Sequence, residues 1–563
     1  MIRSNLIGLC SSWILVTSIC LLNVGSPVSA MAYSAISVTN SIITPKIEFN
    51  STLDSDRPGV VRFFGSDAAT LFTREISESY RGVLREDFVS KTGGKYPLGF
   101  LQASPLPQPW SGTMWSRDSG VFMRELIHWG YFAQACEVAN CLINFSGTNA
   151  EGFVAFPEYF QPGDVNKTGA EIDGQSAIII AMVNLWQELP DTNAFRARLY
   201  DFLNRSSSPV RYFHHVLETD PLIPGENEFG GGSGVPGRYY NVVQNNLAAM
   251  ALLASADMEE EVGDKTTAKV WRRDATKVRV NMEKYLVDTD GSWLWCINPK
   301  TLKPDRAILN KSINAGFGGL NGVACMYADV LGFEPLASHW TGIQHCEKTF
   351  DRLYANPSRK RQFDKYGFWA QFDIYRGGVS SGPSYGEGYA LQTMLLFDKL
   401  DMAGKSLCWM ANTTYKAEGI NFKGQRCSPY YFYERTYSPE ARDKMNFDVG
   451  CGALNLVSVA EPLKVARLIV GVDDTSRSEL KILPRVPPSW SGYEASNWSM
   501  FTGRAVARAN LRFEKNNKQA IFHLKLTQGV RIPSLAVRMP SKSGWVWERA
   551  KSVSDIEFRS QIQ

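Results

Sequence analysis

The stretch Thr113-Met114-Trp115-Ser116-Arg117-Asp118 predicts the start of a buried helix, and the organisation of the chain can be worked out from it. It opens the run 121–127, whose apolar residues repeat at helical spacing. Ser116 suits the N-cap position and Asp118 the first turn. An aromatic ring, a guanidinium and a carboxylate therefore gather at one helix N-terminus, as groups that hold a sugar ring would. A helix cap with a local ion pair is the alternative for this stretch alone.

Similar helix starts recur along the chain, and a helix that is apolar on nearly every side follows each of them. The starts lie near Asp118, Gly174, Asn241, Phe317, Glu387 and Val449. Later apolar helices are predicted over 176–182, 246–253, 319–330, 388–400 and 452–460. Amphipathic helices are predicted over 68–89, 131–145, 193–217, 265–286, 335–354 and 402–418.

A helix that is apolar all round is buried all round, whereas an amphipathic helix faces solvent on one side. Alternation of the two kinds predicts a mainly α fold, an (α/α)6 toroid of six inner and six outer helices. A generic helical bundle is the alternative, but helix order that is regular without a sequence period fits a closed barrel better than a solenoid. If the inner helices run parallel, their N-terminal loops meet at one end.

The sequence texture changes near Asp474, after which residues alternate as strands do. Strands are predicted at 480–484, 505–513 and 520–526, with a hairpin turn at Asn516-Asn517. The predicted order is therefore a signal peptide (1–30), an extended N-terminal segment (31–67), the toroid (68–474) and a small C-terminal antiparallel β domain of sandwich type (475–563).

Targeting features indicate a secreted or secretory-pathway glycoprotein. Arg3, an apolar stretch over 6–22 and Val28-Ser29-Ala30 form a signal-peptide pattern, although an uncleaved anchor is the alternative. Seven Asn-x-Ser/Thr sequons occur. Eight cysteines follow the signal, an even number that permits disulfides, although some could be buried thiols. Oligomeric state is open.

Composition excludes several ligand classes. The net charge of +4 is spread along the chain, which argues against nucleic acid as a partner. The cysteine spacings are not those of a zinc site. The acid–base chemistry of the carboxylates described below requires neither a metal nor an organic cofactor, so none is expected. No stretch after the signal is long and apolar enough to span a membrane.

Four carboxylates lie at the predicted helix starts among glycine and aromatic residues, namely Glu171, Asp173, Glu387 and Glu434. Glycoside cleavage needs one carboxylic acid to protonate the leaving oxygen and a second carboxylate to activate water or attack the sugar. Each residue could instead be a helix cap or a member of an ion pair. Together they predict a carbohydrate-cleaving site.

The Trp115-x-Arg117-Asp118 stretch and the order of elements resemble the six-hairpin, or (α/α)6, glycosidases, which include glucoamylases and α-L-rhamnosidases. The resemblance covers roughly 100–475 in architecture but only short motifs in sequence. Tyr433-Glu434-Arg435 is similar to a rhamnosidase segment. The Glu-Glu pair of the glucoamylases is replaced here by Ala170-Glu171-Ile172-Asp173, which places the chain outside the best-known branches.

The resemblance implies an exo-acting, inverting hydrolase. Arg117 and Asp118 would hold the terminal sugar, with Trp115 stacked on it. Glu171 or Asp173 would be the acid and Glu434 the base, with Glu387 a rival for either role. Further substrate-binding candidates are Gln175, Tyr385 and Tyr433.

Three alternatives share the toroid. They are a carbohydrate-binding pseudoenzyme, a polysaccharide lyase and a glycoside phosphorylase. A lyase needs a Tyr/His/Arg set, and none of the six histidines lies at a helix start. A phosphorylase needs a phosphate cradle that the sequence does not show. Which sugar, linkage and anomer would be cleaved is not encoded in any of these patterns.

Overall fold

A computed structural model describes most of the chain after residue 58. The described residues are 59–84, 96–103, 112–161, 164–167, 172–225, 239–304, 332–334, 340–367, 381–382, 384–416, 436–437, 456–476, 478–502 and 505–563.

Thirteen helices lie within these residues. They are α1 (Asp67–Leu84), α2 (Ser116–His128), α3 (Phe132–Phe145), α4 (Ile172–Glu188), α5 (Ala194–Asn204), α6 (Pro209–Thr219), α7 (Val242–Val262), α8 (Lys265–Tyr285), α9 (Gly342–Ala355), α10 (Pro357–Tyr366), α11 (Ser384–Leu396), α12 (Leu400–Lys416) and α13 (Leu456–Val470).

Five of these helices form consecutive members of an inner ring. α13 packs against α2, α2 against α4, and α4 against α7, while α11 packs against α13 on the other side. Outer helices cover them, for example α3 against α2 and α8 against α7. The predicted sixth inner helix, over 319–330, lies outside the described residues. The mainly α toroid with a β domain is confirmed as the fold class.

The inner helices run parallel, as side-chain pairs at matching heights show. Gln392 of α11 donates to Glu461 of α13 at 2.6 Å. Arg467, near the C-terminus of α13, donates to Glu125, near the C-terminus of α2, at 3.0 Å. The N-termini of the inner helices therefore lie at one end of the toroid, which we call the mouth, and their C-termini lie at the other, which we call the base.

The helix predicted over 193–217 is wrong as a single element, because the structure has two helices there. α5 ends at Asn204 and α6 begins at Pro209. Proline lacks the N–H that a continuing helix needs and fits the first helical position. Ser208 caps the new helix by accepting from the backbone N–H of Arg211 at 3.4 Å.

The helix predicted over 452–460 was ended too early, since α13 continues to Val470. Its later part carries Glu461, Lys464 and Arg467, charged residues that a search for apolar helices does not include. All three are buried. Lys464 pairs with Glu461 at 2.6 Å, so charge is satisfied inside the ring.

Eighteen strands, some of only two residues, lie in the described part of the chain. They are β1 (Val60–Phe64), β2 (Met114–Trp115), β3 (Gly147–Thr148), β4 (Val154–Ala155), β5 (Tyr159–Gln161), β6 (Asp164–Lys167), β7 (Tyr240–Asn241), β8 (Cys296–Ile297), β9 (Ser381–Gly382), β10 (Thr436–Tyr437), β11 (Val472–Asp473), β12 (Leu480–Ile482), β13 (Gly492–Phe501), β14 (Val506–Lys515), β15 (Gln519–Gln528), β16 (Ile532–Ser541), β17 (Gly544–Val553) and β18 (Asp555–Gln561).

The C-terminal strands form two sheets, in the orders β1-β13-β14-β15-β18 and β11-β12-β16-β17. The predicted turn joins β14 to β15, and the Asn516 side chain there accepts from the backbone N–H of Lys518 at 2.8 Å. Strand pairing is antiparallel except between β12 and β16, which run parallel. β1 comes from the N-terminal segment 31–67 and pairs with β13, Val60 opposite Ser496. The predicted limits of the signal peptide, the N-terminal segment, the toroid and the β domain stay predictions.

The β domain lies against the base of the toroid. Arg538 of β16 forms two bonds of 2.6 Å to Asp398, just after α11. Tyr493 of β13 donates to the carbonyl of Val470, the last residue of α13, at 3.0 Å. The β domain therefore lies at the opposite end of the toroid from the mouth, where the loops that precede the inner helices are found.

Cysteines in the described part of the chain do not form disulfides with one another. Cys136 and Cys141 are both in α3, and both are packed in the hydrophobic core together with Cys346. Burial raises the pKa of each of these thiols, that of Cys346 to about 12. These three residues are buried thiols, which is the alternative that the sequence analysis left open. Cys325, Cys427 and Cys451 lie outside the described residues. None of the described helices is both long and apolar enough to cross a membrane.

Candidate functional site

A short β ribbon positions the start of α2 at the mouth. Met114 pairs with Phe160, and Trp115 pairs with Tyr159. The centroids of the Trp115 and Tyr159 rings lie 4.9 Å apart, so the ribbon holds the indole in position. The N-cap residue is Trp115, not Ser116, because the Ser116 hydroxyl donates to the carbonyl of Pro157 instead of capping the helix.

Arg117 lies between two carboxylates on neighbouring inner helices. Its guanidinium is 3.4 Å from Asp118 and 3.8 Å from Asp173, the second residue of α4. Arg117 is 5% exposed and Asp173 is fully buried. The structure therefore brings together three of the predicted site residues. Arg117 thus places one guanidinium between two carboxyl groups, and its planar fork of donors suits oxygen ligands.

This arrangement depends on close packing of α2 against α4. A Cβ added at Gly120 would lie 2.6 Å from the backbone carbon of Ala177 and from the backbone nitrogen of Ile178. Only glycine permits that approach without a shift of one helix. Gly120 lies one turn after Arg117, so the contact sets the distance between Arg117 and Asp173.

Gln175, predicted to bind substrate, is buried and holds the backbone of Phe156. Its amide oxygen accepts from the Phe156 N–H at 2.8 Å, and its amide nitrogen donates to the Phe156 carbonyl at 2.5 Å. Gln175 thereby fixes the loop that leads into the β ribbon. Its contact with substrate stays a prediction.

The start of α7 adds a third polar group to the mouth that the sequence analysis did not single out. Asn241 caps α7 by accepting from the backbone N–H of Val243 at 2.8 Å. Gln244, in the first turn, is fully buried. A Cβ added at Gly225 would lie 2.6 Å from the Gln244 amide oxygen and 2.7 Å from Ile172, the residue before Asp173. The signal available in the sequence was a glutamine three residues after a capping asparagine.

A buried carboxyl lies beside the start of α11. Glu461 accepts from Gln392 and pairs with Lys464, both at 2.6 Å. A Cβ at Gly388 would collide with the Glu461 side chain. Burial raises the pKa of Glu461 to about 7, against the opposing effect of Lys464. Both of its oxygens are engaged by the protein, which indicates a role in joining α11 to α13.

The remaining predicted residues are not tested by the geometry. Glu171, Tyr433 and Glu434 lie outside the described residues, and so do the side chains of Tyr385 and Glu387 at the start of α11. Within the described residues no cluster of three or more His, Cys, Asp or Glu side chains could hold a metal ion.

Comparison with solved structures identifies the architecture. The chain is similar to an α-L-rhamnosidase from Dictyoglumus thermophilum, with a TM-score of 0.55 and 10% identity over 89% of this chain and 50% of that one. It is also similar to a glycoside hydrolase family 15 glucoamylase from Hypocrea jecorina, with a TM-score of 0.51 and 13% identity over 76% of this chain and 74% of that one.

At this level of identity the likeness shows the fold alone, which is the six-hairpin (α/α)6 toroid with a β domain that the resemblance implied. The chain spans half the length of the rhamnosidase. No protein-family profile and no curated protein matches the sequence.

Proposed function

We propose that this protein is a glycoside hydrolase that removes a terminal sugar with inversion of the anomeric centre. The observation that carries the proposal is the Arg117 guanidinium lying between Asp118 and Asp173, where two parallel inner helices begin. Oxygen-binding groups on rigid elements at one end of the toroid suit recognition of a hydroxyl-rich ring. The two solved structures of the same fold carry the names of sugar-cleaving enzymes, which supports the class.

In this scheme Arg117 and Asp118 bind hydroxyls of the terminal sugar, and Trp115 stacks on its apolar face. Glu171 or Asp173 is the acid, and Glu434 activates water, with Glu387 as the rival residue. Inversion requires about 6.5–9.5 Å between the two carboxyls, so that a water molecule fits between base and sugar. The 3.8 Å approach of Asp173 to Arg117 suggests a second role for Asp173, which is to attract the guanidinium towards the start of α4.

We also propose that the protein enters the secretory pathway. The proposal rests on the signal-like pattern within residues 1–30 and on the seven sequons. Expression in a eukaryotic host, with and without residues 1–30, tests it. Secretion of a glycosylated product only when the segment is present is the expected result, and retention of both forms in the cell would contradict it.

The central experiment uses the purified protein with a panel of aryl α- and β-glycosides of neutral sugars and short oligosaccharides. Product is followed by proton NMR before mutarotation. Turnover with inversion is expected. Glu434→Gln is expected to lower kcat by roughly 10²–10⁴-fold, the usual contribution of a general base. Asp173→Asn is expected to lower kcat/KM by about a hundredfold or more.

The matched control is Asp201→Asn, the same change on the exposed face of α5. Its kcat/KM should stay within about twofold of the unmodified protein. Retention of configuration would overturn the inverting scheme and redirect the search to a nucleophile, Glu387 first. Tight sugar binding without any turnover would replace the enzyme with a carbohydrate-binding protein.

A further inference from the structure

Gln244 has a buried side-chain amide that the described protein does not satisfy. The residue is fully buried, and neither its amide oxygen nor its amide nitrogen has a hydrogen-bond partner in the described part of the chain. Asn241 is 2% exposed, and its amide nitrogen likewise has no hydrogen-bond partner in the described part of the chain. Leaving such groups without partners costs roughly 1–3 kcal/mol each.

The neighbouring side chain shows what a structural amide looks like at this position. Asn245, one residue further along α7, accepts from the Ile223 N–H at 2.8 Å and donates to the Asn241 carbonyl at 2.9 Å. It clamps the chain that leads into the mouth. The Gln244 side chain makes no such hydrogen bonds within the described residues, although glutamine at the third helical position commonly reaches back to cap the helix.

Gln244 lies next to the Arg117–Asp173 pair through a chain of contacts. Its amide oxygen and the Ile172 side chain both border the space above Gly225. Ile172 is followed by Asp173, which approaches Arg117 at 3.8 Å. The first turns of α2, α4 and α7 therefore lie next to one another at the mouth, with the Ile172 side chain beside Gln244.

We propose that the Gln244 and Asn241 amides form a hydrogen-bonding subsite for the hydroxyls of a neutral sugar, beside Arg117 and Asp173. This inference rests on the proposed function and deepens it. An amide offers a donor and an acceptor, and a hydroxyl can satisfy both. With Glu171 as the acid, Asp118 and Asp173 are both ionised and outnumber Arg117 among the described residues of the site, so a sugar carboxylate would be repelled there. The subsite therefore selects neutral sugars over uronic acids.

The test compares the unmodified protein with Gln244→Met, which keeps the shape of the side chain and removes its polarity. Sugar binding is measured by calorimetry with glucose, rhamnose, glucuronic acid and a set of singly deoxygenated analogues of the tighter-binding neutral sugar. Gln244→Leu serves as the second variant if the first does not fold. Asn241 is left intact because it caps α7.

Loss of the subsite hydrogen bonds is expected to weaken binding of the neutral sugar by about three- to twentyfold. The same loss is expected when the recognised hydroxyl is deleted from the sugar, and combining the two changes should cost no more than either one alone. Glucuronic acid should bind the unmodified protein more weakly than the neutral sugar.

The control is Ser255→Ala, which removes another buried polar group of α7 that has no partner in the described residues. It lies three turns along the helix from Gln244 and should leave sugar affinity unchanged. If Gln244→Met raises the melting temperature and leaves every sugar affinity unchanged, the amide serves only a bound water, and the subsite is overturned.

Failure of the subsite and failure of the proposed function give different results. Turnover by the unmodified protein, with a deoxy-sugar profile that Gln244→Met does not alter, overturns the subsite and leaves the hydrolase standing. Sugar binding that depends on Gln244 without turnover overturns the hydrolase and supports the subsite. Absence of both binding and turnover overturns both.

Discussion

Two buried side chains, Glu125 at the base of the toroid and Gln244 at the mouth, differ in how the protein satisfies them. At the base, Glu125 accepts from Arg467 at 3.0 Å and from the Trp129 indole at 3.3 Å, so its carboxylate is hydrogen-bonded by the protein itself. At the mouth, the Gln244 amide has no partner within the described residues. A buried polar group that the protein satisfies stabilises its fold, whereas one that it leaves open needs an explanation, of which a ligand is the one proposed for Gln244.

A change at the base is expected to give the largest effect. Glu125→Ala leaves the buried Arg467 guanidinium without this carboxylate and should reduce the free energy of unfolding by about 3–5 kcal/mol. Urea denaturation at pH 7 measures it. Sugar affinity of the folded fraction should not change, because Glu125 lies near the C-terminus of α2.

The double variant Glu125→Leu/Arg467→Met is the control, since replacing both members of a buried pair is often close to neutral. A Glu125→Ala protein with unaltered stability and weakened sugar binding would break the distinction between base and mouth.

A smaller effect is expected where the mouth depends on helix packing. Gly120→Ala places a methyl group 2.6 Å from the backbone of α4 and should cost about 1–3 kcal/mol of stability. It should also lower kcat/KM, because Arg117 moves relative to Asp173. Gly404→Ala in α12 is the matched control, with its nearest contact at 3.2 Å to the Pro487 side chain. Equal behaviour of the two variants would contradict the packing argument.

The smallest expected effect is on the pH dependence of the free energy of unfolding, and it comes from carboxyl groups at the base of the toroid. Burial and the neighbouring Asp474 raise the pKa of Glu188, at the C-terminus of α4, well above its usual range, against the effect of Arg508. Burial also raises the pKa of Asp474 to about 6. A raised folded-state pKa gives stability that is present below about pH 4 and lost as pH rises through the folded pKa.

Glu188→Gln removes one of these carboxyls, so its free energy of unfolding should fall less between pH 5 and pH 8. At pH 8 the variant should be more stable by about 1–2 kcal/mol. Denaturation curves at both pH values measure this difference. Glu151→Gln, an exposed change in the turn after β3, should keep the unmodified slope. The same slope in both variants would contradict the assignment.

Periodicity in the sequence was sufficient for the toroid, because helices buried on every side are apolar on every side. It also placed Arg117 and Asp173 at the same end, since both precede inner helices that run parallel. The extent of α13 was misjudged because its three charged residues are buried and paired, and pairing of side chains is not visible in a linear pattern. The role proposed for Gln244 was missed for a related reason. A polar residue in the first turn of a helix is usually interpreted as part of the helix cap.

The break between α5 and α6 could have been predicted, because Ser208-Pro209 is a recognisable helix start. The position of β1 could not, since strand pairing between distant segments leaves no mark on local pattern. The roles of Glu171, Glu387 and Glu434 stay predictions, because their side chains lie outside the described residues.

The pairing of β1 with β13 also bears on how the protein is made. Val60 leaves the ribosome long before its partner Ser496 has been translated. At about 5–20 residues per second, the wait is on the order of tens of seconds. During that time β1 is a strand edge without its partner, of the kind that recruits other chains. The sheet β1-β13-β14-β15-β18 can therefore be completed only after the whole of the toroid has been translated.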